Sequence, residues 1–424
     1  MALFRNGGFA AHLVNSPAAV RRAPTAPAAA WILMLASFQY FAGCTLTGPA
    51  RPAVRLTGDA LLDDQAQLAA APPRDRVLWE YRIAAEALRR GEFAEAKSRL
   101  DDALRALGGL LAGPDDAAQR ARGYFAGEAT KTFIGEPYER VMAYYYRGIL
   151  YWRDGEPDNA RACFRSAALS DADLLAHQYN SDYVLLDYLD GLATAKLGGD
   201  GAEAFARAQA NTKLSLPPYD RDANVLCFVE YGRGPLKYAT GAYGEQLRFE
   251  VTPSRTHSGV LTVDGRKVAL PPYDDLDYQA TTRGGRVMDY VLRNKAVFKS
   301  TTDAIGDAAL VGAAIAHDVA EDRRSAGKSG GSQNDTAAAL AVAGVLSKVV
   351  SAAANPEADT RAWDNLPQYL SFAALRLAPG PHAARLEFFD AQGRALPEFT
   401  RNLTINVADS DQATVVFLSE LARS

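Results

Sequence analysis

From Arg74 to about Ala210 apolar residues recur every three or four positions. Beyond Pro217-Pro218 that rhythm gives way to short apolar runs and strict alternation. The first pattern predicts amphipathic helices and the second predicts strands, so the chain reads as α+β with its helices first. Residues 225–229 form a continuous apolar run that ends before Gly232 and Gly234, and 247–251 alternate. Segments 260–263 and 267–270 flank Asp264-Gly265, the composition of a tight β-hairpin. A second strand group follows at 386–389, 395–396, 403–407 and 414–418. Strand groups at both ends of one region predict a small β-sandwich. Between them 286–322 and 336–354 turn helical again, rich in Ala and Gly and joined by polar 323–335. That predicts a helical hairpin inserted into the β-region at about 286–354.

The helical block carries internal spacing. Gly148, Tyr151, Gly155, Ala160, Phe164 and Ala167 place small residues where two short antiparallel helices approach and a large one in the gap between them. This resembles the tetratricopeptide (TPR) pattern. Ala84, Ala87, Gly91, Phe93, Ala96, Leu100 and Ala103 repeat it, and Gly191 and Gly198 open a shortened third copy. Gly91, Gly155 and Gly198 do not follow the repeat length of about 34 residues. Residues 105–140 therefore hold either a diverged repeat or an insertion. In TPR arrays the first helix of each pair lines a concave groove. Tyr81, Arg89, Met142, Tyr145, Ile149, Trp152, Arg153, Tyr188 and Lys196 take those places and become the candidate partner-binding residues, since aromatics and Arg anchor interfaces. The competing reading packs some of them against the β-region.

Ahead of the helices, residues 31–43 form an apolar stretch preceded by Arg21 and Arg22, with no acid before Asp59. That is the charge and length pattern of a secretory signal, too short to be read first as a spanning helix. Its Ala42-Gly43-Cys44 ending resembles the lipobox of bacterial lipoproteins, with Phe41 where Leu is usual. The resemblance implies lipidation at Cys44 and a membrane-held N-terminus. The expected organisation is a signal over 1–43, a tether over 44–73, TPR-like helices over 74–214 and a β-rich domain over 215–424.

Charge and chemistry narrow the function. The formal charge is −4; Arg5, Arg21 and Arg22 are the charged residues before Cys44, so removing the signal takes it to −7. No basic patch stands out, which leaves nucleic-acid binding without an electrostatic footing. Beyond Cys44 the cysteines are Cys163 and Cys227, read as buried thiols, with a disulfide between them left open. Gly327-Lys-Ser-Gly-Gly331 fits the nucleophile-elbow spacing around Ser329, but it joins two helices instead of a strand and a helix. His317 with Asp318, Glu321 and Asp322 reads as a solvated helix end, because a metal needs three or four converging ligands. No catalytic residue, metal site or cofactor is assigned.

Asp359, Arg361 and Trp363 form the densest group of specific residue types, within Asp359-Thr-Arg-Ala-Trp363-Asp-Asn-Leu-Pro367. They suit a structural plug, with Arg361 stacked on Trp363 and an Asp fixing it so as to lock the hairpin onto the β-domain. The alternative is a ligand-binding or enzymatic corner. The Gly306, Gly312 and Gly344 hairpin allows close helix approach and a homo-oligomerising role over 302–354.

Taken together, Cys44, Gly135-Glu-Pro-Tyr138-Glu-Arg-Val-Met142 and the Asp359–Pro367 signature resemble the TPR-containing bacterial lipoproteins of unassigned function. The likeness covers about residues 30–200 and 355–390. It implies an envelope location and no known catalytic residues. Thr45 after Cys44 implies the outer membrane, facing the periplasm, if the host is Gram-negative. The expectation is a non-enzymatic, lipid-anchored envelope protein that binds a protein or peptide in its groove.

Overall fold

The computed structural model describes residues 55–111, 131–171, 182–282, 357–410 and 412–422. The expected signal, Cys44, Ser329, the His317 group and the 286–354 hairpin lie outside the described residues. Helices occupy the N-terminal half and sheets the C-terminal half, a mixed α+β arrangement.

The first helix, α1 (Ala60–Ala70), lies inside the segment expected to be a tether. Asp59 caps it, its carboxylate accepting from the backbone N–H groups of Leu61 and Leu62 at 2.9 and 3.1 Å. Leu61 is buried, and Arg90 reaches back to Asp59 at 2.9 Å. Among the described residues the helical block thus starts at Ala60, and three helix pairs follow: α2 (Arg76–Arg90) with α3 (Phe93–Leu111), α4 (Pro137–Arg153) with α5 (Pro157–Asp171), and α6 (Val184–Lys196) with α7 (Ala202–Ala210). Gly91 closes α2 at φ 75°, where a side chain would be strained. Pro137 opens α4, and the Glu136 backbone N–H donates to Glu139 at 2.6 Å.

Ala84, Ala96, Leu100, Ala103, Ala160, Phe164 and Ala167 are fully buried. A Cβ on Gly148 would come within 2.7 Å of the Phe164 ring, so only glycine lets α4 and α5 approach this closely. Tyr151 is half-buried beneath the Arg147 guanidinium, 3.4 Å above its ring centre.

The strands are β1 (Val225–Tyr231), β2 (Leu236–Thr240), β3 (Gln246–Glu250), β4 (Ser258–Val263), β5 (Arg266–Leu270), β6 (Asp274–Asp275), β7 (Tyr369–Leu375), β8 (Gly380–Phe389), β9 (Arg401–Val407) and β10 (Thr414–Ser419); the short helix α8 (Leu276–Thr281) follows β6. They form sheets of order β10-β1-β7-β6 and β5-β4-β8-β9, with β2-β3 as a separate ribbon. Strand β1 is buried at every position because both faces are covered, which is why it reads as an unbroken apolar run. It pairs in parallel with β10 and antiparallel with β7. Asp264 and Gly265 take φ of 49° and 83°, the left-handed pair that joins β4 to β5.

Alternation along the first sheet sorts its two faces. Leu226, Phe228, Leu370 and Phe372 join the helices in one core. Val225, Cys227, Val229 and Tyr231 meet Leu261, Leu386, Phe388 and Ile405 of the second sheet in another. Helices and sheets belong to one compact unit, so the boundary expected near residue 214 is a change of secondary structure and not a gap between domains. Cys163 and Cys227 are free and buried; burial pushes their thiols up to about 11 and about 12.

Candidate functional site

The helix face expected to be an open groove is closed by the protein's own first sheet. Tyr81, Met142, Tyr145, Ile149, Trp152 and Tyr188 are at most 2% exposed. Tyr145 and Trp152 meet Phe228 of β1 with ring centres 6.3 Å apart, and Tyr188 meets Phe372 of β7 at 5.9 Å. Arg89 Nε bonds Glu230 at 2.6 Å in full burial. The second oxygen of Glu230 accepts from Tyr146 at 2.5 Å, and Ser419 Oγ donates to the first at 2.6 Å. The helix side of β1 therefore supplies aromatic surface to the aromatics and a carboxylate to the buried Arg89 side chain. Arg153 and Lys196 stay clear of this cover. Arg153 is exposed with its guanidinium 4.0 Å over the Phe93 ring, and Lys196 is half-buried at the margin.

The Asp359–Trp363 corner is a second tie between helices and sheet. Trp363 stacks on Tyr81 with ring centres 4.5 Å apart, where stacking on Arg361 was expected. Its backbone N–H donates to Glu139 at 2.7 Å. Arg361 grips Asp359 through two nitrogens, Asp75 at 2.6 Å and the Lys131 carbonyl at 2.9 Å. The corner thus fixes the chain after residue 357 onto α2 and α4. Beside it Lys237 and Glu139 form a buried pair at 2.5 Å, and Lys237 also donates to the Arg361 carbonyl at 3.0 Å. Sequence reading missed Glu139, Glu230 and Lys237, whose spacing carries no signal because their partners lie far along the chain.

Two buried carboxyls flank the first sheet's β6 edge. Asp274 accepts from the Val184 and Leu185 N–H groups at the start of α6, at 2.7 and 2.9 Å. Burial nevertheless pushes it up to about 7. Asp277 is likewise pushed up to about 7, by burial and then by the neighbouring Asp275, and neither of its oxygens has a partner among the described residues. Both groups ionise near 3.8 in the unfolded chain and near 7 in the folded one. Between those values the native state holds the extra protons, so stability falls as pH rises from about 4 to about 7 and stays lowered above. Asp277→Asn is expected to leave stability at pH 4 unchanged and raise it at pH 8 by about 1–2 kcal/mol, allowing for residual screening. Urea melts at the two pH values check this, and an equal effect at both would remove the titration account.

A cleft of about 730 Å³ stays open where the helix pairs end against the sheet. Its walls are the turn after α4 (Asp154, Gly155), the last turn of α6 (Lys196), the entry to β1 (Arg221, Ala223, Asn224), the exit of β7 (Arg376, Leu377) and the approach to β10 (Ser410, Gln412), with Trp152 at its base. Asn224 is held by its amide donating to the Leu377 carbonyl at 2.8 Å and accepting from the Leu377 N–H at 2.9 Å. Gln412 donates to the Arg153 carbonyl at 2.9 Å. Lys196 donates to the Ala223 and Arg221 carbonyls at 2.5 and 3.2 Å, and burial holds its ammonium below the usual lysine range. Of the expected groove residues, Trp152 and Lys196 are the ones brought into this cleft; Arg221, Asn224, Arg376 and Gln412 were not foreseen. The polar turn at 220–222 was the available signal for Arg221. Among the described residues no group of three His, Cys, Asp or Glu is placed to hold a metal ion. No family model, curated protein or solved structure matches this chain.

Proposed function

We propose that this chain is a non-enzymatic, lipid-anchored cell-envelope protein that holds an extended peptide or protein segment in the cleft at the end of its helix pairs. The helix pairs are TPR-like repeats and the two sheets that follow are a sandwich, and the face of the first sheet turned away from the second closes the repeat groove. The reading is carried by one observation: with the helix face covered, the cleft lined by Trp152, Lys196, Arg221, Arg376 and Gln412 is what stays open where groove and sheet meet. Its volume suits a ligand, and its polar groups converge from five separate elements. The lipobox resemblance at Cys44 supplies the anchor, and among the described residues no helix is long and apolar enough to cross a membrane.

Two experiments test the two halves. Palmitate labelling with membrane fractionation is expected to find the wild type labelled and membrane-bound and Cys44→Ala unlabelled and released. A Cys44→Ala chain that stays in the membrane removes the lipid anchor. For the cleft, a photo-crosslinking phenylalanine at Ser410, on the rim, is compared with one at Leu62, exposed on α1. One envelope partner captured from 410 and not from 62 supports the site. Equal capture from both positions, or none from either, rejects it.

A further inference from the structure

The cleft holds more cationic capacity than it neutralises. Arg376 pairs with Asp222 at 2.8 Å, and Asp154, also in the lining, pairs with Lys97 at 2.6 Å. Lys196 and Arg221 lack such a partner among the described residues. Lys196 is met by two backbone carbonyls, and Arg221 by the Gly199 carbonyl at 2.7 Å. Asp220 and Asp222 act on Lys196 electrostatically without forming an ion pair with it. Arg221 is exposed and uses a single N–H donor, which leaves most of its planar fork free to grip a carboxylate.

Resting on the peptide reading above, we propose that the cleft recognises a carboxylate of its peptide ligand, an Asp or Glu side chain or a free C-terminus, through Lys196 and Arg221. The half-buried ammonium and the exposed guanidinium approach the cleft from α6 and from the β1 entry, so a carboxylate between them replaces the counter-charge that the fold omits. A polyanion fits less well. Asp154 and Asp222 line the same space, and each would repel a phosphate chain that ran past the two cations. A peptide carrying one acid among neutral residues meets the cations without that cost, and its N–H groups suit the two acids. Asn224 and Gln412, both already held by the backbone, present fixed amide edges to its main chain.

The test uses the full-length chain in detergent and a fluorescent octapeptide with one Glu among alanines and an amidated C-terminus, beside its Gln counterpart. The Glu peptide is expected to bind at least about tenfold more tightly, the scale of one charge-assisted bond. Arg221→Gln should erase that preference and leave the Gln peptide unchanged, while Lys196→Arg should retain it. Thermal melts establish that the variants fold, and the exposed Arg221 keeps the test open if Lys196 variants fail to fold. Equal binding of the two peptides, or a preference that survives Arg221→Gln, overturns the carboxylate assignment but leaves a peptide cleft. Displacement by inorganic phosphate well ahead of acetate overturns it in favour of a phosphate group. If neither peptide binds while Ser410 still captures its partner, acidic-peptide recognition fails alone; if both fail, the cleft is not the partner site.

Discussion

Replacing Arg89 by Met is expected to lower the unfolding free energy by about 3–5 kcal/mol, because it strands a buried charge. The Arg89 and Glu230 side chains are 2% and 1% exposed, at the junction of α2 and β1. Without the guanidinium, Glu230 keeps the Tyr146 and Ser419 hydroxyls as donors but no counter-charge. Arg89→Met with Glu230→Leu should recover most of the loss, since an apolar pair of similar bulk suits the buried aromatic surroundings at Tyr146. The recovery stops short of complete because the two hydroxyls lose their acceptor. Urea unfolding of both variants is the measurement. A single variant within about 1 kcal/mol of wild type would show that the pair is not what couples helices to sheet. A double variant as unstable as the sum of two singles would show that the site rejects apolar replacement.

Trp363→Ala should cost about 3–5 kcal/mol, the loss typical of a large aromatic removed from a packed core. Trp363 is fully buried, stacked on Tyr81 and edge-on to Tyr146 at 5.9 Å. Its backbone bond to Glu139 survives the substitution, so the loss reads ring packing alone. Trp363→Phe should retain more than half of the stability lost by Ala, because it keeps a ring against Tyr81. Hydrogen exchange should quicken first in α2 and α4, the helices that the corner grips. Loss confined to residues 357–368, with both helices protected as before, would reduce the corner to a local plug.

The extent to which the fold was legible follows the range of the forces involved. The small residues at Gly148, Ala160 and Ala167 and the large one at Phe164 act within a single helix pair, so their spacing carried the packing. The Asp264-Gly265 hairpin is local in the same way, since its backbone angles depend on those two residues. Helix α1 was hidden because Asp59, Asp63 and Asp64 make the segment look like solvated linker, while its stability comes from Arg90 and Arg82 further on. Strand β7 escaped notice because Ser371 and two alanines blur its alternation; it is a strand because β1 and β6 bond to it from both sides.

The candidate site divides along the same line. Tyr145 and Trp152 share the buried face of α4 and Tyr188 lies on that of α6, since 3.6-residue periodicity decides which side chains share a face. What that face meets was a tertiary matter. Periodicity marks a surface as apolar and anchoring but is silent on whether a partner or the chain's own sheet covers it. Phe228 and Phe372, long separated from the helices in sequence, supply that cover. The cleft likewise exists only because the ends of α4, α6, β1, β7 and β10 arrive at one place. Local spacing determined the helix pairs, the hairpin and the apolar face, because their energies act between near neighbours in the chain. The closing of the groove, the pairing of Arg89 with Glu230 and the open, charged cleft were decided only by the fold, because they need residues from separate helices and strands to meet.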